Sequence, residues 1–232
     1  MDKGTTGLND IKPLFEAGLH LGHKKNRLHP KAKKFVYRIE SGVSIIDLTQ
    51  TVKQIAQAKT FLSTSAKENK ILLVVATKRV AAPLVLELCR EHKITFITSK
   101  WLPGLLTNFE TIIKNVKKLK ELKKDREEGA WDKLIKHEKV KLNKQISQLE
   151  KFYGGLIELE KKPDLLLIID TKKEKNAVVE AQKMQIPIVA VVDTNVNPEQ
   201  VDYPIVANDD SPSSVYYLIN ELIQAYVRGR NK

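Results

Sequence analysis

The chain has 232 residues, enough for one large domain or one domain with an elaborated insertion, but too few for a multi-module machine. Hydrophobic residues make up 42% and aromatics only 6%, so a core of Ile, Leu, Val and Ala is expected; the single cysteine, Cys89, excludes an internal disulfide and any all-cysteine zinc site. Forty Lys and Arg against 28 Asp and Glu give a net charge of +12, which favours a polyanionic partner through steering and counterion release.

Met1-Asp2-Lys3-Gly4 leads into no apolar run of signal-peptide length. The longest apolar stretches fall far short of the ~20 residues a membrane helix needs. The expectation is therefore a cytoplasmic or organellar protein with no membrane partner.

Taken in chain order, residues 20–38 (HLGHKKNRLHPKAKKFVYR) hold Lys24, Lys25, Arg27, Lys31, Lys33, Lys34 and Arg38 with no acid among them. A charge run is usually a solvated loop, but cations at this density repel one another unless an anion neutralises them, so phosphate-backbone contact is the better reading. His20, His23 and His29 are interleaved, at spacings feasible for a metal. No Cys joins them and the nearest acids are Glu16 and Glu40, so hydrogen bonding to RNA or backbone is preferred and no metal is assigned.

FVYRIESGVSII (35–46) reads as two short strands around a turn at Ser41-Gly42. ILLVVA (71–76), DLLLIID (164–170) and PIVAVVD (187–193) are continuously apolar, the pattern of parallel strands buried on both faces. ITFI (94–97) and YPIVA (203–207) are further strands, and helical spacing appears at Val80, Leu84 and Leu88 and at Val178, Val179 and Ala181. Alternation of this kind predicts an α/β fold with a doubly wound parallel sheet. A last helix begins at Ser211 as N-cap with Pro212 at N1 and runs towards Val227.

The alternation breaks between 108 and 162. Phe109, Ile112, Val116 and Leu119, and then Leu142, Ile146, Leu149, Tyr153 and Leu156, recur at steps of three and four, with Gly129 between the two series. Narrow apolar seams with Lys-rich flanks predict an antiparallel, coiled-coil-like helical hairpin. The organisation expected is a sheet domain over 1–107 and 163–232 with a helical insertion over 108–162.

Three aspartates end apolar runs: Asp47, Asp170 and Asp193. Ligands of open α/β sheets bind at the carboxyl ends of strands, so a basic α/β phosphotransferase or hydrolase using Asp170 or Asp193 with magnesium is the alternative function. The simpler reading is helix capping, by Asp47 with Gln50, Thr171 with Glu174, and Asn197-Pro198 with Gln200. No phosphate-cradling glycine motif and no G-x-S-x-G is present, and Cys89 reads as a small core residue. Lys78 and Arg79, after the run at 71–76, suit an RNA backbone. Arg228, Arg230 and Lys232 near the C-terminus extend the same basic reading more weakly. In SKWLPGLLTNFE (99–110), Trp101 beside Pro103-Gly104 marks a fixed turn, and Thr107 or Asn108 caps the long helix; core packing is the simplest reading of Trp101, whereas an exposed edge would stack or dock.

LFEAGLHLGHKKNRLHPK (14–31), SGVSIIDL (41–48), KWLPGLLTNF (100–109), PDLLLIID (163–170), PIVAVVDTN (187–195) and DYPIVANDD (202–210) together resemble the ordered blocks of the ribosomal protein S2 family, in its bacterial and organellar type. The resemblance covers nearly the whole chain; Leu28, Ala76 and Pro103 depart from the family's usual residues. It implies a flavodoxin-like α/β domain with a coiled-coil hairpin, and a non-enzymatic scaffold of the small ribosomal subunit. Implied partners are small-subunit rRNA, neighbouring ribosomal proteins and an S1-like mRNA-binding protein, with neither a cofactor nor a small-molecule substrate. Carried over residue by residue, Gly22-His23-Lys24 and the cations after it match the family's RNA-facing region, and Trp101, Leu106, Thr107 and Asn108 its tryptophan-containing turn. The expected RNA-binding set is thus His20, His23, Lys24, Lys25, Arg27, Lys31, Lys33, Lys34, Arg38, Lys78, Arg79, Trp101 and Asn108.

Overall fold

A computed structural model describes residues 8–132 and 134–231. Met1-Asp2-Lys3-Gly4 and Lys232 lie outside the described residues. In chain order the elements are α1 (Leu8–Glu16), β1 (Leu21–Lys24), β2 (Val36–Glu40), β3 (Val43–Ile46), α2 (Leu48–Lys67), β4 (Leu72–Val75), α3 (Ala82–Glu91), β5 (Thr95–Ile97), α4 (Phe109–Glu127), α5 (Lys136–Tyr153), β6 (Leu165–Ile169), α6 (Lys175–Lys183), β7 (Ile188–Val192), β8 (Tyr203–Val206) and α7 (Pro212–Arg230), with short 3-10 turns at Lys25–Arg27, Pro30–Phe35, Gly154–Leu156 and Pro198–Gln200.

The last five strands form a parallel sheet in the order β5-β4-β6-β7-β8, the flavodoxin-like order in which the first strand of the sheet lies between the second and third. Every residue of β4, β6 and β7 is buried, as their unbroken apolar runs require. Alternate side chains go to opposite faces. Leu72, Val74, Leu165, Leu167, Ile169, Val189, Val191 and Ile205 pack with α2, α3 and α7. Leu73, Val75, Leu166, Ile168, Ala190 and Val192 pack with α6, the Trp101 turn and the start of α4. Fully burying each Leu or Ile contributes about 1.5–3 kcal/mol.

A second, antiparallel sheet in the order β1-β3-β2 carries the hairpin expected at Ser41-Gly42, whose two turn residues both take positive φ. The strand β1 has no signal in the local pattern: its residues lie in the basic stretch, and they become a strand by pairing with β3 at Leu21↔Ile45 and Lys24↔Val43.

Capping explains some boundaries and not others. Asp47 accepts the Thr49 N–H at the start of α2, and Gln50 turns back to the same carboxylate at 2.9 Å. Asn197 accepts the Glu199 N–H, starting a 3-10 turn. The capping box at Thr171 and Glu174 is overturned: Glu174 itself stands at the N-cap position of α6, 3% exposed, with its carboxylate directed to Thr77. The helices α4 and α5 pair through Leu119, Trp131 and Ile146, with Asn115 and Tyr153 hydrogen-bonded at 3.1 Å. α5 ends before Leu156, which sits in a 3-10 turn and packs under the sheet.

α7 lies along α2, presenting Leu218, Ile219, Leu222 and Ile223 where α2 presents Ile55, Ala58, Leu62 and Ala66. At the end of that contact Gly229 faces Ser63 and Ala66 so closely that a Cβ would collide with the Ser63 carbonyl oxygen. Gly229→Ala should therefore separate the two helices and lower the unfolding free energy by about 1–3 kcal/mol, read as a lower urea midpoint at unchanged m-value.

Candidate nucleic-acid interface

The carboxyl ends of the parallel strands gather a cluster of charged side chains. Lys78, after β4, places Nζ 2.7 Å from Asp209, 2.6 Å from Asp210 and 3.3 Å from Asp170. Burial works against the Lys78 charge, but the hydrogen bonds from Asp209 and Asp210 and the nearby Asp170 outweigh it and raise its pKa. Asp209 is pushed up to about 7, by burial first and then by the charges of Asp170 and Asp193. Beside them Glu174, also raised by burial, takes the Thr77 N–H and O–H, and Lys173 donates to the Thr77 carbonyl at 2.7 Å. The strand ends are thus filled by internal ion pairs. Asp170 lies against Lys78, and Asp193, 1% exposed, is bonded to Thr194 and His23.

His23 joins this cluster to the basic segment. Its Nδ1 lies 2.9 Å from Asp193 Oδ2, its Nε2 lies 2.8 Å from the Asn195 amide, and its backbone N–H donates to Thr194 Oγ1 at 2.9 Å. The Thr194 carbonyl then accepts the His29 N–H at 2.8 Å. Gly22 makes the approach possible, since a Cβ there would sit 2.8 Å from the Thr194 methyl and 3.0 Å from the Ser44 carbonyl. His29 Nδ1 accepts the Lys31 N–H and starts the 3-10 turn Pro30–Phe35. The residues 20–31 are therefore fastened along the loop after β7. Further along, Lys31 and Lys34 both reach Glu199, at 2.6 and 2.9 Å, and hold its carboxyl down to about 2.

The expected RNA-binding residues consequently fall into groups. Lys24, Lys25, Arg27 and Lys33 are exposed and form no salt bridge among the described residues; Arg27 is near enough to Asp210 to help lower that carboxyl. Lys31, Lys34 and Arg38 are exposed but carry carboxylate partners, Glu199 and Glu40. Arg79 and Asn108 are exposed, Asn108 accepting the Thr111 hydroxyl at 3.0 Å. Arg230 donates to the His92 carbonyl. Lys78 is turned inward, and its job is the ion-pair cluster. Cys89 is buried in α3, its thiol pushed up to about 12 by burial.

Trp101 is 5% exposed and presents no free stacking edge. Its indole N–H donates to Glu180 of α6 at 3.0 Å, and the same carboxylate takes the N–H groups of Gly104 and Leu106. Those bonds outweigh burial and lower the Glu180 pKa. One half-buried acid thus holds the turn, a role invisible in the motif because Glu180 lies 79 residues away.

The three histidines do not converge. His20 is stacked on Phe15 (4.1 Å, 13°), and burial lowers its pKa. The atoms that come within 4.8 Å of one another are instead those of His23, Asp193 and Asp210. This trio could hold a cation, but Lys78 already supplies positive charge to Asp210, and both ring nitrogens of His23 have protein partners.

Comparison with known proteins bears on this geometry. The sequence profile described as ribosomal protein S2 matches residues 14–229. A small ribosomal subunit protein uS2 from Coprothermobacter proteolyticus is 40% identical over 220 residues, covering 95% of this chain and 82% of that protein.

The His23–Asp193 pair makes stability depend on pH. The hydrogen bond to Asp193 raises the His23 pKa above its ordinary 6.5 against the effect of burial. A histidine raised in the folded state stabilises the fold below its unfolded pKa, and that contribution is lost as pH rises through the folded value. The excess stability of the wild type over His23→Gln should therefore shrink as pH rises from about 6 into the alkaline range, measured by urea unfolding at a series of pH values.

Proposed function

Because this chain belongs to the ribosomal protein S2 family of the small subunit, we propose that it binds folded small-subunit rRNA through phosphate contacts from the segment 20–38 and scaffolds neighbouring ribosomal proteins. The family is one of structural ribosomal proteins and not of enzymes, so the magnesium phosphotransferase reading of Asp170 and Asp193 is set aside. No described helix is long and apolar enough to cross a membrane.

The observation that carries the reading is the set of four exposed cations, Lys24, Lys25, Arg27 and Lys33, without salt bridges among the described residues yet held at the end of β1 and on the short turns after it, which are fastened to the loop after β7. Cations held in place lose less conformational freedom on binding than the same cations on a loose loop. Phosphate contacts position a protein without specifying sequence, so recognition of folded RNA shape is expected in place of a base code. Lys31, Lys34 and Arg38 contribute less, since each must share or give up a carboxylate. Arg79 and Asn108 extend the surface, whereas Lys78 and Trp101 act through the fold.

We assign residues 108–162 to an inserted helical arm on the sheet domain formed by 1–107 and 163–232. The arm, rich in Lys on its exposed faces, is the part proposed to meet protein neighbours, an S1-like protein among them. The proposed place of work is the cytoplasmic ribosome, and neither cofactor nor metal is required.

Replacing Lys24, Lys25 and Arg27 together by Glu tests the assignment. Affinity for small-subunit rRNA should fall, and the slope of log K against log salt should flatten by about 2–3, while the urea midpoint stays unchanged. Wild-type affinity and slope in this variant would remove these residues from the interface.

A further inference from the structure

The outer strand of the small sheet carries a feature that phosphate binding leaves unused. β2 is an edge strand in the order β1-β3-β2. Its pairing with β3 runs Val36↔Ile46 and then Arg38↔Ile45, so two steps along β2 match one step along β3. Tyr37 is the extra residue of this β-bulge. A bulge bends its strand and re-aims a side chain, and Tyr37 is 72% exposed, more than any other large hydrophobic residue described as exposed. Ile39, two residues on, is also exposed at 42%.

The surroundings of this ring are cationic. The Arg38 guanidinium lies 6.0 Å from the Tyr37 ring centre and is itself held at 2.8 Å by Glu40. The exposed Lys33 and Lys34 precede the strand, and Lys24 lies in the same sheet, since Lys24 and Glu40 both pair with Val43. An open aromatic ring beside cations is the combination that unstacked nucleobases use: the ring offers a π-face to the base while the cations neutralise the adjoining phosphates.

We infer that Tyr37 is a stacking platform for an unpaired base of the small-subunit rRNA, set outward by the bulge in β2. This rests on the rRNA-binding reading and adds to it a contact that is apolar and insensitive to salt. RNA is favoured over a protein occupant because the flanking charge at Lys24, Lys33 and Arg38 complements a polyphosphate chain.

Filter binding of the full-length protein to small-subunit rRNA folded in magnesium, at several salt concentrations, tests the inference with Tyr37→Ala, Tyr37→Phe and Tyr37→Trp. Stacking on one base gives roughly a five- to hundredfold loss on truncation to Ala, with the salt slope unchanged; Phe and Trp should restore binding. An exposed side chain leaves the urea midpoint untouched in all three. Wild-type affinity in Tyr37→Ala, with binding still sensitive to the Lys24, Lys25 and Arg27 replacement, overturns the stacking role alone. If Tyr37→Ala binds the rRNA normally but fails to enter complete subunits, a protein occupies the ring and the inference is wrong. If the wild type does not bind this rRNA, both readings fall.

Discussion

The burial of charge at the carboxyl ends of the parallel strands is the constraint on which the rest of the site depends. Strands covered on both faces release their polar residues only at their ends, and here β6, β7 and β8 deliver Asp170, Asp193, Asp209 and Asp210 to one small region. Buried carboxylates are costly unless paired and hydrogen-bonded. Lys78 pairs with the buried Asp209, the partly buried Asp170 and the exposed Asp210, and His23 pairs with the buried Asp193. Lys78 comes from the loop that leaves β4, the strand next to β6, so it arrives with the parallel sheet. His23 does not. It comes from the small sheet, and in supplying its ring it brings Gly22, the 3-10 turns and the cations that follow them onto the loop after β7.

This arrangement converts a position that often serves chemistry into an anchor. In open α/β sheets the strand ends are where ligands bind, and a cluster of acids with a lysine and a histidine there resembles a catalytic constellation. Fold position alone does not assign function. Here the acids are spent on side chains of the same molecule, and the basic segment that they hold faces outward. Neutralisation inside and excess charge outside are two sides of one arrangement, which fits a chain of the ribosomal protein S2 family whose net charge is +12.

Much of this fold is readable from local pattern. The doubly buried strands announce themselves as unbroken apolar runs, and β2 and β3 follow from the Ser41-Gly42 turn. The pair α4 and α5 follows from apolar steps of three and four. What escapes is whatever depends on partners distant in sequence. β1 shows no strand pattern because Gly22, His23 and Lys24 leave Leu21 as its one apolar side chain, and it is a strand only through β3. Lys31 and Lys34 look unneutralised until Glu199, 165 residues beyond Lys34, is brought beside them. Lys78 looks like a phosphate ligand until three aspartates from two other strand ends surround it. Trp101 packs inside, as its simplest reading has it, but the Glu180 carboxylate that holds its indole N–H cannot be found from the motif. Glu180, Glu199 and Lys78 lie outside the ordered blocks of the family resemblance, but other long-range contacts join block to block, His23 meeting Asp193-Thr194-Asn195 and Gly18-Leu19 meeting Asn208.

The central claim is that strand-end charge anchors the basic segment. Amide hydrogen exchange on Asp193→Asn tests it most directly, because the His23 and His29 N–H groups both end on Thr194. The account predicts faster exchange at those two amides and across the turns that follow, with β6 and β7 protected as in the wild type. Wild-type protection at His23 and His29, or opening of the whole sheet in step with them, would contradict it.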